Sequence, residues 1–143
     1  MDNALYGGLE MGGTKCIAVV GNDAGQLQQQ LHIPTTDPEE TLHQVLDFFK
    51  DYPDLKAIGI GSFGPINLDP ASDSYGRLGK TPKHDWVDYD ILSPLRSLPA
   101  ELLLNTDVNC SAIGEQQYGS AKGLAHFVYY DSRYGNWWQL CLE

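Results

Sequence analysis

Apolar positions recur along this chain with a period of two in some segments and near 3.6 in others, which predicts strands alternating with helices. Short apolar runs bounded by glycine, proline or aspartate are typical of strands. These runs predict strands at residues 5–11, 15–20, 26–33, 56–61, 102–105 and 127–130. We expect the segment 26–33, which is rich in glutamine, to lie near an edge of the sheet.

Helices are predicted where apolar residues recur at helical spacing. The first begins with Asp37 as N-cap and Pro38 in its first turn, and the second covers residues 108–118 with Gly119 at its end. A further short helix is expected within residues 88–98. Three strands, followed by helices and strands in alternation, indicate an α/β domain with a mixed sheet flanked by helices.

The composition limits which partners and which cellular compartment are expected for this protein. Nineteen acidic and nine basic residues give a net charge of -10, which argues against a nucleic-acid partner because such a partner requires a basic face. No run of about 18 apolar residues occurs, so no membrane span is expected, and the first ten residues do not resemble a signal peptide. We therefore expect a cytoplasmic protein. Its three cysteines and four histidines show no metal-ligand or disulfide spacing.

Residues 59–64 read Gly-Ile-Gly-Ser-Phe-Gly directly after a predicted strand. A dinucleotide-binding fingerprint must open a helix whose N-terminus faces the pyrophosphate, whereas residues 65–70 show no helical period. Two other interpretations remain, a turn in which backbones crowd together and a loop that lets a ligand approach the main chain. The loop continues to residue 86, and loops of this length inside a compact domain are often functional.

A glycine turn after the first strand is a candidate phosphate-binding site. Glu10 ends the strand, Gly12 and Gly13 form the turn, and Thr14 and Lys15 add a hydroxyl and a cation. Glycines let backbone N–H groups approach a phosphate, and the carboxylate could hold Mg²⁺ through water. An ordinary tight hairpin is the alternative.

A second candidate lies where the strand 102–105 passes into the helix 108–118. Ligands of α/β sheets collect at such carboxyl ends of strands. The helix dipole favours the anion of Asp107, which could then accept a proton from a hydroxyl group. The alternative is that Asp107 is only the N-cap of the helix.

A third candidate is the segment 81–86, Thr-Pro-Lys-His-Asp-Trp. It combines a hydroxyl, a cation and a large apolar ring, a set that suits a sugar or another polyol. An ordered surface loop of the same composition is the alternative.

Four stretches, taken together and in order, resemble the ROK family of sugar kinases, and most of all its bacterial fructokinase branch. They are GGLEMGGTK, IGIGSFGPINLD, YGRLGKTPKHDW and NTDVNCSAIGEQQYGSAKGL, within residues 7–130. The resemblance implies the N-terminal lobe of an actin-like ATPase (ribonuclease H-like) fold and transfer of the γ-phosphoryl of ATP to the 6-hydroxyl of fructose. It implies ATP and Mg²⁺ as cofactors, a sugar as partner, and a homodimer for an intact family member. A glucokinase-type hexose kinase and a non-enzymatic sugar-binding module are the alternatives.

The resemblance also implies a role for individual residues. Asp107 would be the general base that takes the proton of the sugar hydroxyl. The first phosphate loop would be formed by Gly12, Gly13 and Thr14, with Glu10 and Lys15 beside it. The sugar side would be formed by Gly64, Pro65, Lys83, Asn109 and, farther along the same helix, Glu115.

The chain departs from the family after residue 130. The family continues into a second glycine-rich phosphate loop, whereas residues 131–138 read Asp-Ser-Arg-Tyr-Gly-Asn-Trp-Trp. Permitted codons for residues 131–139, read one nucleotide later, spell Thr-Val-Gly-Thr-Gly-Ile-Gly-Gly. The hypothesis is that residues 1–130 form the lobe and that 131–143 are an out-of-frame tail; an aromatic binding tail is the alternative. The family's zinc-binding cluster would then belong to an absent C-terminal lobe, and the isolated chain would have negligible kinase activity.

Overall fold

The computed structural model describes residues 4–132 in full and the main chain of residues 137–142. A five-stranded sheet forms its centre, in the order β3-β2-β1-β4-β5. The strands are β1 (Leu5–Met11), β2 (Lys15–Asn22), β3 (Leu27–Pro34), β4 (Ala57–Ser62) and β5 (Glu101–Thr106). The first three are antiparallel neighbours, whereas β4 pairs parallel with β1 and β5 pairs parallel with β4. The predicted mixed sheet and the edge position of the third strand are confirmed.

Three helices accompany this sheet: α1 (Pro38–Lys50), α2 (Leu92–Leu95) and α3 (Asp107–Tyr118), with a short 3-10 turn at His84–Trp86. The start of α1 is as predicted, because the Asp37 side chain accepts a hydrogen bond from the Glu40 N–H at 3.0 Å. Gly119 follows the last residue of α3, also as predicted. None of the helices in the described part of the chain has the length and apolar character needed to cross a bilayer.

A separate two-stranded antiparallel sheet pairs β6 (His126–Asp131) with β7 (Trp137–Leu142). The first of these strands was predicted and the second was not. The strand β7 lies in the tail that the sequence analysis places out of frame, and residues 133–136 of that tail lie outside the described residues. The pairing of β7 with β6 does not show in which reading frame these residues are encoded. The out-of-frame hypothesis therefore stays a prediction.

The hydrophobic core lies against one face of the five-stranded sheet. Leu9, Ala18 and Ile60 occupy neighbouring register positions on this face and are buried, as strand alternation requires. Helix α1 contributes the buried side chains of Leu42, Val45 and Phe49. The long segment 63–98 closes the core, with buried side chains from Phe63, Leu78, Trp86, Ile91, Leu92, Leu95 and Leu98.

The opposite face of the sheet carries α3 and contains Gly59 and Gly61 of β4. A Cβ at Gly61 would lie 3.1 Å from the Cβ of Cys110, so the missing side chain lets α3 approach β4 closely. A loop follows β4, with no helix directly after it. The crowded-backbone interpretation is therefore confirmed at Gly61, and the dinucleotide fingerprint is excluded, as the sequence analysis expected.

Candidate active site

A cleft of about 680 Å³ opens at the carboxyl ends of the parallel strands β1, β4 and β5. Loops that follow parallel strands meet at the same edge of a sheet, so segments far apart in sequence become neighbours there. All three candidate segments of the sequence analysis reach this cleft. Its walls are formed by Gly13, Thr14, Phe63, Gly64, Pro65, Thr81, Pro82, Lys83, Thr106, Asp107, Val108, Asn109 and Asp131.

A smaller cleft of about 90 Å³ adjoins the first and shares two residues with it, Asp107 and Asp131. Its other walls include Glu10, Gly12 and Lys15, the remaining members of the predicted phosphate loop. The predicted phosphate-side residues therefore divide between two neighbouring clefts. Asp107 lies at the boundary between them.

The turn between β1 and β2 uses its two glycines for different purposes. The Gly12 N–H donates to the Lys15 carbonyl at 3.0 Å, and a Cβ on Gly12 would come within 2.7 Å of that same oxygen. A Cβ on Gly13 would meet no atom within 4 Å. Gly12 is thus required by the turn itself, whereas Gly13 leaves open space on the side that lines the larger cleft.

Asp107 is the first residue of α3, but it is not the N-cap. Thr106 caps the helix, because its Oγ1 accepts the Asn109 N–H at 3.1 Å. The capping interpretation of Asp107 is therefore wrong. Its half-buried carboxylate accepts the N–H of the adjacent Val108 at 2.9 Å and borders both clefts.

Burial raises the pKa of the Asp107 carboxyl above its ordinary value of 3.8. The adjacent Val108 N–H lowers this pKa, and the carboxylates of Glu10 and Asp131 raise it further. Desolvation thus outweighs the stabilisation of the anion that the helix N-terminus alone led us to expect. A carboxylate with a raised pKa holds a transferred proton more firmly, which suits a general base.

Asn109 presents its side chain to the cleft in a fixed orientation. Its Nδ2 donates to the Oδ1 of Asn105 at 2.6 Å, and the same Oδ1 accepts the Thr106 N–H at 2.9 Å. The Asn109 Oδ1 has no part in these hydrogen bonds, so a hydroxyl group of a ligand could donate to it. Asn105 was not among the predicted site residues. It lies at the end of β5, four positions before Asn109, and this spacing is the signal that could have identified it.

Lys83 and the Gly64–Pro65 peptide form the opposite wall of the larger cleft. The Lys83 Nζ donates to the main-chain carbonyl of Thr35 at 3.1 Å. Gly64–Pro65 is a cis peptide, and the Pro65 carbonyl accepts the Gly79 N–H at 2.8 Å. These two hydrogen bonds connect the wall to Thr35 and to Gly79.

Trp86 differs from the interpretation of residues 81–86 as a sugar-binding set. Its side chain is 1% exposed and packs edge-on against Phe63 and Tyr89, with ring centroids 5.5 and 5.9 Å away. Its indole N–H donates to the Thr36 carbonyl at 2.8 Å. The ring therefore anchors the loop in the core and offers no surface to a ligand. Lys83 and Thr81 remain on the cleft wall.

Glu115 is the predicted site residue that the structure does not bring to either cleft. It lies two turns beyond Asp107 on α3, where its Oε2 accepts the Ser120 N–H at 2.9 Å. Its main-chain carbonyl also accepts the N–H groups of Gly119 and Ala121. This arrangement ends the helix, and a role in substrate binding for Glu115 stays a prediction.

The side chains of the described residues include no group of three or more His, Cys, Asp or Glu placed to hold a metal ion. Mg²⁺ bound to a nucleotide needs only one or two protein carboxylates, because phosphate oxygens and water complete its octahedron. Glu10 and Asp107 border the smaller cleft and have the oxygen ligands that Mg²⁺ prefers. These residues are compatible with a metal carried by a nucleotide.

This chain is similar to known proteins over most of its length. The ROK family model matches residues 6–134. The fructokinase of Pediococcus pentosaceus is 44% identical over 126 residues, covering 87% of this chain and 43% of the relative. The fructokinase of Streptococcus mutans is 42% identical over 113 residues, covering 78% of this chain and 39% of the relative. The chain thus spans about two fifths of the length of these curated relatives.

Solved structures establish the fold. A ROK family glucokinase from Streptomyces griseus, crystallised with glucose and AMPPNP, superposes with a TM-score of 0.80 at 20% sequence identity. The superposition covers 97% of this chain and 45% of that protein. The expected α/β fold of the actin-like ATPases is therefore confirmed. The match of the family model over residues 6–134 shows that this chain belongs to the ROK family.

Proposed function

We propose that this chain carries the general base and the first phosphate loop of an ATP-dependent fructokinase that works in the cytoplasm. The reaction would convert D-fructose to fructose 6-phosphate. One observation carries the proposal: Asp107 borders two adjoining clefts, whose walls hold the candidate phosphate residues Glu10, Gly13 and Lys15 as well as the candidate sugar residues Lys83 and Asn109. Phosphoryl transfer to a hydroxyl requires a base that lies close to both the sugar and the phosphate.

In the proposed reaction, the 6-hydroxyl of the sugar gives its proton to a carboxylate oxygen of Asp107. The hydroxyl oxygen forms a bond to the γ-phosphorus, and the bond from that phosphorus to the bridging oxygen of ATP breaks, so that ADP leaves. The raised pKa of Asp107 favours this proton transfer. Mg²⁺ on the nucleotide would offset the charge of the phosphates.

The phosphate and sugar sides would bind by different means. Open space beside Gly13 would let phosphate oxygens approach the main chain, and Lys15 would add positive charge. On the sugar side, the oriented Oδ1 of Asn109 would accept a sugar hydroxyl. Lys83, held by the Thr35 carbonyl, keeps further N–H donors for the ligand.

Fructose is proposed as the sugar because the motif wording and both curated relatives point to it. A glucokinase-type activity is the nearest alternative, since the superposed Streptomyces griseus protein is a glucokinase. Kinases of this kind enclose their substrates between two lobes, and the chain spans about two fifths of its relatives. We therefore expect the 143-residue chain to bind its ligands without measurable turnover. An intact family member would be a homodimer.

Calorimetric titration of the 143-residue chain tests this proposal. Fructose and ATP·Mg²⁺ should each give heat, and Asn109→Ala should weaken fructose binding about tenfold, the usual effect of losing one well-placed hydrogen bond. Asp47→Asn, on the exposed side of α1, is the matched control and should leave both affinities unchanged. Glu115→Gln decides whether that residue contributes to sugar binding.

Four outcomes would change the proposal. Absence of heat with both ligands would contradict the expected binding and leave this chain with no residual binding role. Heat with fructose alone would favour the non-enzymatic sugar-binding module. Stronger binding of glucose than of fructose would favour the glucokinase-type alternative. ATP-dependent phosphorylation of fructose by the 143-residue chain would show that the proposed lack of turnover is wrong.

The out-of-frame tail is a separate proposal about the gene. A DNA read across codons 125–150 and beyond would test it. A shifted frame that stays open through the glycine-rich loop would support a one-nucleotide slip near Tyr130. A shifted frame that closes at once would favour the aromatic binding tail.

A further inference from the structure

The connection between β3 and α1 lies between the phosphate turn and the lysine of the sugar-side wall, and it contacts both. This connection contains Thr35 and Thr36, neither of which lines a cleft. Thr35 is 7% exposed. Its side chain and its main chain form hydrogen bonds in two directions, which no feature of the local sequence demands.

Toward the phosphate turn, Thr35 forms two hydrogen bonds. Its Oγ1 donates to the Gly12 carbonyl at 2.8 Å, and its N–H donates to the Thr14 carbonyl at 3.0 Å. These bonds hold the main chain on both sides of Gly13, the residue whose open side lines the larger cleft. The conformation of the turn thus depends on the position of Thr35.

Toward the sugar side, the Thr35 carbonyl accepts the Lys83 Nζ at 3.1 Å. The next carbonyl, that of Thr36, accepts the indole N–H of the buried Trp86 at 2.8 Å. The lysine side chain is half-buried and would otherwise have several rotatable bonds. Its ammonium group is therefore placed at the cleft wall by the same residue that holds the phosphate turn.

We propose that Thr35 is a positioning residue that couples the phosphate turn to Lys83. A shift of the lysine would move the Thr35 main chain, and the two hydrogen bonds from Thr35 would transmit this shift to the Gly12–Thr14 turn. Its consequence for ligands rests on the proposed function: fructose contacting Lys83 would strengthen nucleotide binding at the turn. Phosphoryl transfer depends on such alignment, because a misplacement of about 1 Å can lower the rate about a hundredfold.

Amide hydrogen exchange measured by NMR on the ligand-free 143-residue chain tests the coupling directly. The Gly12 amide, which donates to the Lys15 carbonyl at 3.0 Å, reports on the turn, and the amide of Val45 in α1 reports on global opening. Lys83→Met should speed exchange at the turn several-fold relative to Val45, although among the described residues Lys83 forms its side-chain hydrogen bond with Thr35 and not with the turn. Thr35→Val should speed it about tenfold, and Thr35→Ser should restore the native rate.

Thr41→Val is the matched control. Thr41 is fully buried, and its Oγ1 accepts the Thr36 N–H at 3.0 Å, so it supports the same connection without contacting the turn. This variant should lower global stability and leave unchanged the ratio of the exchange rate at the turn to the exchange rate at Val45. An equal effect on the turn from Thr41→Val and Thr35→Val would reduce Thr35 to a structural residue and overturn the proposal.

The remaining outcomes are also decisive. Unchanged exchange at the turn in Lys83→Met would overturn the coupling. If Thr35→Val does not fold, Lys83→Met and Thr35→Ser decide the question between them. Calorimetry then separates the two proposals. If the wild-type chain shows the exchange coupling but binds no ATP·Mg²⁺, the proposed function is contradicted and the positioning role of Thr35 still holds. Where both ligands bind, fructose should raise nucleotide affinity in the wild type and in Thr35→Ser, and should do so far less in Lys83→Met.

Discussion

The two faces of the five-stranded sheet differ in what they bury. On the core face, Met11, Ala18 and Ile60 have no exposed surface. On the α3 face, the corresponding positions are occupied by Glu10, Gly61 and Asn105, among others. Ala112 is the one residue of α3 that is buried.

The two faces therefore have different roles: the core face stabilises the fold, and the α3 face carries residues proposed for catalysis. Burial of apolar side chains supplies most of the folding free energy, so the core face holds the sheet together. The α3 face keeps glycines and polar side chains where a ligand could approach, and it leaves apolar surface exposed on Leu103 and Ile113. The residues proposed for phosphoryl transfer lie at the end of this less densely packed face, on strands that the other face makes rigid.

The largest expected effect is a difference in the free energy of unfolding between variants of two isoleucines, Ile60 on the core face and Ile113 on the α3 face. Ile60→Ala removes a fully buried side chain and should lower the free energy of unfolding by about 3 kcal/mol. Ile113→Ala alters a side chain that is 49% exposed and should change it by less than about 0.5 kcal/mol. Urea denaturation followed by circular dichroism measures both values. Similar losses in the two variants would show that Ile113 is covered in solution.

The next effect compares the two glycines of the phosphate turn. Gly12→Ala places a Cβ 2.7 Å from the Lys15 carbonyl oxygen and should destabilise the fold by about 1–3 kcal/mol. Gly13→Ala meets no atom within 4 Å, so stability should change by less than about 0.5 kcal/mol while ATP·Mg²⁺ affinity falls. Thermal unfolding and calorimetry on the same samples test this division. Unchanged nucleotide affinity in Gly13→Ala would remove the turn from the proposed phosphate site.

The smallest effect concerns the charge of Asp107. Since the folded protein raises the pKa of this carboxyl, the anion destabilises the fold, and stability is lost as pH rises above the ordinary value of 3.8 through the folded-state pKa. Asp107→Asn should therefore raise the free energy of unfolding at pH 7, by at most about 0.5 kcal/mol because solvent screens the charge of this half-exposed group. The gain should shrink as pH falls below the ordinary value of 3.8, because Asp107 then becomes protonated in both states. Urea denaturation at pH 7 and at pH 3.5 checks the sign, and a loss of stability at pH 7 would show that hydrogen bonding to the anion dominates.

Much of the fold was predictable because its signals are local. The N-cap of α1 depends on Asp37 and the spacing of Glu40, and the end of α3 depends on Gly119. Thr35 was missed for the opposite reason. Its contacts join residues that become neighbours only after β3 and the long loop have assembled. Asn105 was missed although its contacts are close in sequence, because they depend on how the chain turns from β5 into α3.

The sequence by itself determined the α/β order of elements, the edge position of the third strand, and the glycine turn, because period, caps and turns are encoded in neighbouring residues. Tertiary structure alone decided that burial raises the pKa of Asp107, and that Trp86 lies in the core while Lys83 reaches the cleft. The physical reason is that burial, desolvation and hydrogen bonding depend on which distant segments pack around a side chain, and no local pattern specifies these neighbours.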